Sequence, residues 1–237
     1  MEIYIQLGAG VGDKDIATNY KDGFTGFVKN KKLNINDKII LVEANPFNIN
    51  KLEECWFKFE NKKILNIAIV NEKFYSREAY IYYCKDDAPT FQASSLIYSH
   101  VKKHYPKSNI LKKKIKVKRI NEFLYENCKN YKIKYLAIDI EGLDYDVIMS
   151  IDFNQFNIEN LSFEILHLSL FKKINLINRL ILNGYKYSGK GFDINGYDLM
   201  FQKKKGFLAR INTEIFKFKF YIKYARRSIK NKIKNIF

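Results

Sequence analysis

This sequence of 237 residues has little of what marks several large classes of protein. It contains only three cysteines, Cys55, Cys84 and Cys128, which are scattered and form no Cys-x-x-Cys pair. They indicate buried thiols rather than a disulfide framework or a cysteine zinc site. No apolar run approaches the roughly 18 residues that cross a bilayer. No signal peptide precedes the first apolar run, so we expect a cytoplasmic protein.

The charge of the chain is strongly positive, but the excess is concentrated near its end. The formal net charge is +17, and residues 203–237 hold twelve of the 42 Lys and Arg residues but one of the 25 acids. In that segment apolar residues recur every three or four positions, as on one face of a helix: Ile211, Ile215, Phe218, Ile222, Ala225, Ile229, Ile233 and Ile236. We therefore predict a domain of residues 1–205 and a basic amphipathic helical tail of residues 206–237. Such a tail can lie on an anionic membrane surface, or pack on the domain or on a second subunit of a homo-oligomer.

Short apolar runs alternate with helical patterns through residues 1–205. This alternation indicates α/β units around a mostly parallel sheet. The last two runs, Tyr185–Ser188 and Tyr197–Gln202, predict an antiparallel C-terminal hairpin. Because sites in parallel sheets lie beyond the carboxyl ends of the strands, the polar residues that follow each strand are candidate site residues.

The first such place is the stretch IYIQLGAGVGD at residues 3–13, where three alternating glycines follow an apolar run. A dinucleotide-binding turn needs the spacing G-x-G-x-x-G and an acid about 20 residues further on. Here Gly8, Gly10 and Gly12 are spaced differently, and the acid Glu43 comes 35 residues after Gly8. The pattern favours the S-adenosylmethionine loop of class I methyltransferases, with Glu43 accepting hydrogen bonds from the ribose hydroxyls.

Several stretches in order make the chain resemble the FkbM family of S-adenosylmethionine-dependent O-methyltransferases. They are IQLGAGVGDKD, ILVEANPFNINKLEE, ILNIAIV, INEFL, YLAIDIEGLDYDVI, LSFEIL and GYDLMFQK. The resemblance implies a Rossmann-like class I methyltransferase fold and methylation of a sugar hydroxyl on a glycan or glycolipid precursor. The chain departs from the family at Gln6, where an acid usually precedes the glycine turn.

The turn, the strand ends and the resemblance together predict which residues contact the cofactor, S-adenosylmethionine. They are Gln6, Gly8, Ala9, Gly10, Gly12, Asp13, Glu43, Ala44, Asn45, Asn66, Ala68 and Asp139.

Methyl transfer to a hydroxyl needs a base or a metal ion to weaken the O–H bond. We expect Asp139 or Glu141 to be this base, and His167 is the best-placed histidine for the same task. A second solution is a divalent cation, Mg²⁺ or Mn²⁺, shared by the carboxylates of Asp139 and Glu164. His100 and His104 have helical spacing, but the sequence offers no further ligand that would complete a zinc site with them.

Motifs that mark methyltransferases acting on nucleic-acid bases are missing from the sequence. With only three prolines, the chain has no Asn/Asp-Pro-Pro-Tyr box and no Pro-Cys pair, so methylation of nucleic-acid bases is disfavoured despite the charge. Aromatic side chains in residues 72–118, namely Tyr82, Tyr83, Phe91 and Tyr98, are expected to stack on sugar rings. The alternative function is a catalytically degenerate methyltransferase fold that docks on a membrane or on nucleic acid.

Overall fold

Strands and helices alternate along most of the computed structural model, which describes residues 1–14, 22–129, 131–193, 197–204, 213–218 and 221–222. The strands are β1 (Glu2–Leu7), β2 (Lys38–Val42), β3 (Lys62–Leu65), β4 (Ala68–Val70), β5 (Glu78–Cys84), β6 (Ile110–Arg119), β7 (Lys132–Ile138), β8 (Ile158–Glu164), β9 (Tyr185–Lys190) and β10 (Asp198–Lys203). The helices are α1 (Gly23–Lys29), α2 (Ile49–Cys55), α3 (Tyr98–His104), α4 (Ile120–Cys128), α5 (Asp144–Ser150) and α6 (Leu170–Leu182). Short 3₁₀ turns cover Gly12–Lys14 and Lys85–Asp87.

Seven strands form the central sheet in the order β3-β2-β1-β7-β8-β10-β9. The first five of these strands pair in parallel, whereas β10 runs antiparallel to both β8 and β9. The predicted α/β fold with a mostly parallel sheet and a C-terminal antiparallel hairpin is therefore confirmed. The carboxyl ends of β1, β2, β7 and β8 meet at one edge, where this kind of sheet places its site.

Residues 68–119 form a second, three-stranded sheet in the order β4-β6-β5. The sequence pattern of this segment is irregular because the run Lys112–Lys114 interrupts the alternation of apolar residues in β6. In the structure these lysines lie opposite the tyrosine-rich β5, and the ammonium of Lys112 sits 4.6 Å from the centre of the Tyr80 ring. The lysine stems can thus cover aromatic surface while their charges stay in water. This inserted sheet forms one wall of the site described below.

The core lies on both faces of the central sheet. On β1, Ile3, Ile5 and Leu7 point into the larger cluster, which contains buried residues of α4, α5 and α6. Tyr4 points to the opposite face, where it packs with residues of α1 and α2. Because successive strand residues face opposite sides, a strand covered on both faces is buried on both, and in β1 all residues from Ile3 to Leu7, including the polar Gln6, are buried. Such burial holds the strand ends rigidly.

The predicted tail falls largely outside the described residues, including Ile211 and residues 223–237. Its described residues, 213–218 and 221–222, are helical. Thr213 accepts a hydrogen bond from the backbone N–H of Tyr187 (3.1 Å), and the Phe216 ring stacks on the Tyr187 ring at 3.6 Å. Of the predicted stripe, Ile215 and Phe218 are exposed. The face that docks on the domain here is therefore not the predicted stripe.

Within the described part of the chain, we find no helix with the length and apolar character needed to cross a membrane.

Candidate active site

A pocket lies between the carboxyl edge of the central sheet and the inserted sheet. Ten of the predicted site residues line it: Gly8, Ala9, Gly10, Gly12, Glu43, Ala44, Ala68, Asp139, Glu141 and Glu164. The remaining five, namely Gln6, Asp13, Asn45, Asn66 and His167, do not contribute to its wall.

The glycine turn that follows β1 forms the floor of the pocket. Gly8 has φ +81°, and a Cβ there would overlap the carbonyl oxygen of Asp139 on the neighbouring strand. Gly10 has φ +53° and no atom within 4 Å of the place where its Cβ would be. Gly8 is thus required by the packing of the protein itself, whereas the space above Gly10 is open to a ligand.

Glu43, at the end of β2, holds this turn in place. Its carboxylate accepts hydrogen bonds from the backbone N–H of Gly10 (2.7 Å) and of Asn45 (2.6 Å). Burial nevertheless raises the pKa of Glu43 to about 7. Each carboxylate oxygen has a second lone pair, so the side chain can accept further donors from a ligand. The predicted contact with ribose hydroxyls fits this geometry.

Gln6 does not line the pocket, but it forms a hydrogen bond with Asp22, which does. Its side-chain amide donates to Asp22 Oδ1 (2.8 Å), while the other Asp22 oxygen accepts from the N–H of Thr25 (2.6 Å) at the start of α1. Asp22 lines the pocket, and burial raises its pKa to about 6. Gln6 thus holds Asp22, an acid that lines the pocket although position 6 carries none. No motif in the sequence marks Asp22, and the direct contact of Gln6 with the cofactor stays a prediction.

Three other predicted cofactor residues have structural partners. Asp13 pairs with Lys29 (2.8 Å). Asn45 donates to Ser94 Oγ (2.9 Å) and accepts from the N–H of Phe47 (3.0 Å), which ties the β2 end to the inserted segment. Asn66 donates to the carbonyls of Glu43 and Ala44 (2.9 and 3.1 Å). These contacts position the strand ends, and direct contacts with the cofactor stay predictions.

Further acidic side chains line the pocket. Asp139 follows β7, Glu164 ends β8 and Asp198 begins β10. Burial, together with the nearby carboxylate of Glu141, raises the pKa of Asp139 and raises that of Glu164 to about 8. Burial and Asp193 raise the pKa of Asp198 to about 7. Such mutual repulsion is relieved when a cation binds among the carboxylates.

Asp139 also has a polar atom without a partner. Its Oδ1 is buried and makes no hydrogen bond with any described residue, as is also true of Asn48 Oδ1. Both residues line the pocket. Because buried polar atoms normally have partners, these two fit a ligand that brings donors or positive charge, as S-adenosylmethionine does with its ribose hydroxyls, ammonium and sulfonium.

The turn after Asp139 is braced by Asp144, the first residue of α5. Its carboxylate accepts from the N–H groups of Ile140 (3.1 Å) and Gly142 (3.2 Å). Within this turn Glu141 has φ +49°, a left-handed conformation that is uncommon for a residue with a side chain. The left-handed backbone therefore gives the Glu141 side chain a direction that a helical or extended backbone would not give.

Glu141 points at a cluster that contains all three histidines of the chain. His100 Nε2 lies 2.8 Å from Glu141 Oε2, and the His100 ring centre is 4.9 Å from that of His104 and 4.7 Å from that of His167. Burial and His100 lower the pKa of His167. The sequence shows only the helical spacing of His100 and His104. Folding brings His167 and Glu141 to them, two candidate ligands that the sequence pattern does not indicate.

The structure also bears on the predicted divalent cation. Among the described residues, one group of at least three side chains lies close enough together to share an ion. It consists of His100, His104, Glu141 and His167, and it includes neither Asp139 nor Glu164. A cation held by Asp139 and Glu164 as a pair stays a prediction.

The predicted sugar-stacking residues lie on the inserted sheet and the loop after it. Phe91 lines the pocket with φ +49° and contacts the rings of Tyr83 (5.8 Å) and Phe47 (5.5 Å). Tyr82 packs edge-on against Tyr98 (5.4 Å). An aromatic cluster thus borders the pocket, with Phe91 as the member that lines it.

The fold and this site together define a class I S-adenosylmethionine-dependent methyltransferase. The family model described as the methyltransferase FkbM domain matches residues 7–187. The chain therefore belongs to the FkbM methyltransferase family.

Several solved structures have a similar fold but are only 9–13% identical to this chain in sequence. The N-terminal domain of human METTL16 in complex with SAH is 9% identical, with a TM-score of 0.43. The match covers 86% of this chain and 62% of that one, so this chain spans less than two thirds of that domain. An rRNA methylase from Streptococcus thermophilus is 10% identical (TM-score 0.41; 86% and 87% covered). Precorrin-6y C5,15-methyltransferase from Geobacter metallireducens is 13% identical (TM-score 0.42; 86% and 80% covered). A comparison with curated proteins finds no match.

Proposed function

We propose that this methyltransferase methylates oxygen, on a sugar hydroxyl of a glycan or glycolipid precursor. The observation that carries the proposal is Asp139, a buried pocket carboxylate with an unpartnered oxygen at the end of β7. It stands between the glycine turn, where the cofactor is expected, and Glu141 and Glu164 on the acceptor side. A hydroxyl acceptor needs such a group more than an amine does, because a neutral alcohol is a weak nucleophile.

The residues divide into two sets of roles. S-adenosylmethionine, when bound, supplies an electrophilic methyl group. Gly10 leaves room for it, Glu43 accepts donors from it, and Asp22 offers a negative charge beside the turn. On the acceptor side, Asp139 accepts the hydroxyl proton as the oxygen attacks the methyl carbon, with Glu141 as the second candidate base. The carbon–sulfur bond breaks in the same step, and the products are a methyl ether and S-adenosylhomocysteine.

The aromatic cluster supports a sugar as the acceptor. Phe91 lines the pocket, and its ring packs against those of Tyr83 and Phe47. Aromatic faces suit the apolar faces of pyranose rings, while the pocket carboxylates accept hydrogen bonds from sugar hydroxyls.

The proposed place of action is the cytoplasmic face of a membrane, where lipid-linked glycan precursors would be reached. The basic excess in residues 203–237 supports this proposal, as do the exposed side chains of Ile215, Phe218 and Tyr221 in the described part of the tail. Basic residues near anionic lipid contribute about 1 kcal/mol each.

The test uses the full-length protein, S-adenosylmethionine labelled in its methyl group, and glycolipid and polysaccharide extracts as acceptors. Label should appear in sugar methyl ethers, identified by mass spectrometry after hydrolysis, and should be lost with Asp139→Asn. Label on nitrogen would refute O-methylation. Tight binding of S-adenosylhomocysteine without turnover on any extract would instead favour the degenerate binding module.

A further inference from the structure

The strongest feature that the proposed function does not use is the histidine cluster. The chain contains three histidines in 237 residues. Two of them lie on α3 of the inserted segment and the third follows β8 of the central sheet, yet all three converge on the carboxylate of Glu141. One candidate ligand atom from each of these four side chains lies within 4.8 Å of the others.

We propose that His100, His104, His167 and Glu141 bind a divalent transition-metal ion, with Zn²⁺ as the ion to test first. Imidazole is the ligand that zinc, copper, nickel and iron(II) share, whereas Mg²⁺ and Ca²⁺ prefer oxygen. Three histidines with one carboxylate make a donor set suited to Zn²⁺ in tetrahedral geometry. This site differs from the Asp139–Glu164 pair, which offers only oxygen.

The geometry needs little adjustment to close around an ion. Zinc bonds of about 2.0–2.1 Å to nitrogen place tetrahedral ligands roughly 3.3 Å apart. His100 Nε2 and Glu141 Oε2 are already 2.8 Å apart. The largest distance between two ligand atoms, which is at most 4.8 Å, must shorten by about 1–1.5 Å around the ion. Small side-chain rotations are enough to bring the atoms that close.

Neighbouring groups hold the ligands in place. Ser95 Oγ donates to the carbonyl of Glu141 (2.7 Å) and so helps to hold its left-handed backbone. A Cβ on Gly142 would lie 3.2 Å from His100 Nδ1, so the glycine leaves room for the ring. Glu164 Oε2 is 3.8 Å from His167 Nε2. Such outer contacts fix ring orientation in metal sites.

The cluster adjoins the acceptor end of the pocket. Glu141 belongs to both the cluster and the pocket wall, while His104 is exposed to solvent. If the proposed O-methylation holds, and this part of the inference rests on it, a sugar hydroxyl that adds to the ion as a fifth ligand becomes a stronger acid and passes its proton to Asp139 more easily as the ether forms. No oxidation or reduction accompanies this step.

The first experiment measures metal binding without reference to activity. Full-length protein without a polyhistidine tag is stripped with a chelator and titrated with Zn²⁺ by calorimetry, with Mg²⁺ as the contrasting ion. We expect one Zn²⁺ per chain and much weaker Mg²⁺ binding. Substituting Co²⁺ should give the visible absorption of a four-coordinate nitrogen site. Failure of the protein to bind one equivalent of Zn²⁺ above the affinity of a histidine-free variant would overturn the proposal.

A matched pair of variants locates the ion. His104→Asn removes an exposed ligand with little risk to the fold, and should weaken Zn²⁺ binding by at least about tenfold. Lys103→Asn, its exposed neighbour on α3, should leave Zn²⁺ affinity within about twofold. Equal affinities for the two variants would place the ion elsewhere and refute the site.

Binding of S-adenosylhomocysteine and methyl transfer are measured on the same samples. If the protein binds the nucleoside and transfers methyl groups but takes up no Zn²⁺, the metal inference fails while the proposed function stands. If Zn²⁺ binds as expected but no acceptor is methylated, the metal site stands and the proposed function fails. Methyl transfer at an unchanged rate in metal-free protein would refute the catalytic role of the ion.

Discussion

The two ends of the pocket are built in different ways. The cofactor end consists of a glycine turn and the carboxylates of Glu43 and Asp22, and Glu43 binds the turn through backbone N–H groups. The acceptor end draws Glu141, Glu164 and the histidines from β7, β8 and the inserted segment. The cofactor end depends on backbone shape, whereas the acceptor end depends on side-chain charge and on packing between distant parts of the chain.

This difference indicates where specificity resides. A turn held by main-chain contacts suits a ligand that is common to a whole class of enzymes. Side chains from an inserted sheet can vary without disturbing the central sheet, because loops and insertions carry function on a rigid scaffold. Substitutions at the two ends should therefore separate cofactor binding from turnover.

The largest expected effect is on turnover at the acceptor end. Asp139→Asn should lower kcat by about 10²–10⁴, the usual cost of losing a general base. S-adenosylhomocysteine affinity should change far less, since the amide keeps the shape of the carboxylate. Asp146→Asn, on α5 outside the pocket, is the control. Activity within a few-fold of the wild type would move the role of base to Glu141 or His167.

The next largest effect is on affinity at the cofactor end. Gly10→Arg fills the open space above the turn and should weaken S-adenosylhomocysteine binding by about 100-fold, or about 2.7 kcal/mol. Gly184→Arg is the matched control, because Gly184 also has a left-handed φ (+82°) and no atom within 4 Å of its Cβ position, and this variant should bind as the wild type does. Calorimetric titration measures both. Unchanged affinity in Gly10→Arg would place the cofactor elsewhere.

A smaller effect concerns the dependence of stability on pH. The folded-state pKa of Glu43 is raised from 4.5 to about 7, so between these values the folded protein holds a proton that the unfolded chain releases. This contribution to the free energy of unfolding is present below pH 4.5 and is lost as the pH rises through about 7. The wild type should lose free energy of unfolding as the pH is raised from 4.5 to about 7. In Glu43→Gln this loss should be smaller by about 1–3 kcal/mol.

Denaturant titrations of wild type and variant at several pH values measure this difference. Asp86→Asn, an exposed substitution on the inserted segment, controls for general loss of charge. Parallel pH profiles for wild type and Glu43→Gln would show that burial does not raise the pKa of Glu43.

The smallest effect concerns the tail. Arg226→Gln should weaken binding of the full-length protein to anionic vesicles by about 1 kcal/mol, because each basic residue near the surface contributes about that much. Lys107→Gln, an exposed change on the inserted segment, should have no effect. Co-sedimentation at low salt measures both, and added salt should reduce binding. If the wild type ignores anionic vesicles, the tail is not a membrane contact.

The cofactor end could be predicted from the sequence because its signals are local. The glycines follow β1 directly, and Glu43 follows β2 directly. The same local character made the hairpin of β9 and β10 predictable, as well as the end of α6 at Gly184, which has φ +82°.

At the acceptor end the acids Asp139, Glu141 and Glu164 were predicted, but the convergence of the histidines was not, because it joins residues far apart in sequence. His167 meets His100 only when the inserted segment folds against β8. At the cofactor end, Asp22 is likewise marked by no motif and is held by a hydrogen bond from the side chain of Gln6, 16 residues away in sequence. In each case tertiary contacts decided between locally acceptable alternatives.

The most direct test of the account is the identity of the atom that receives the methyl group. Full-length protein is incubated with methyl-labelled S-adenosylmethionine and a glycolipid extract, alongside Asp139→Asn and Gly10→Arg. The account predicts labelled sugar methyl ethers with the wild type, and only traces with either variant. Label found on nitrogen or carbon, or ether formation that survives Asp139→Asn at the wild-type rate, would contradict it.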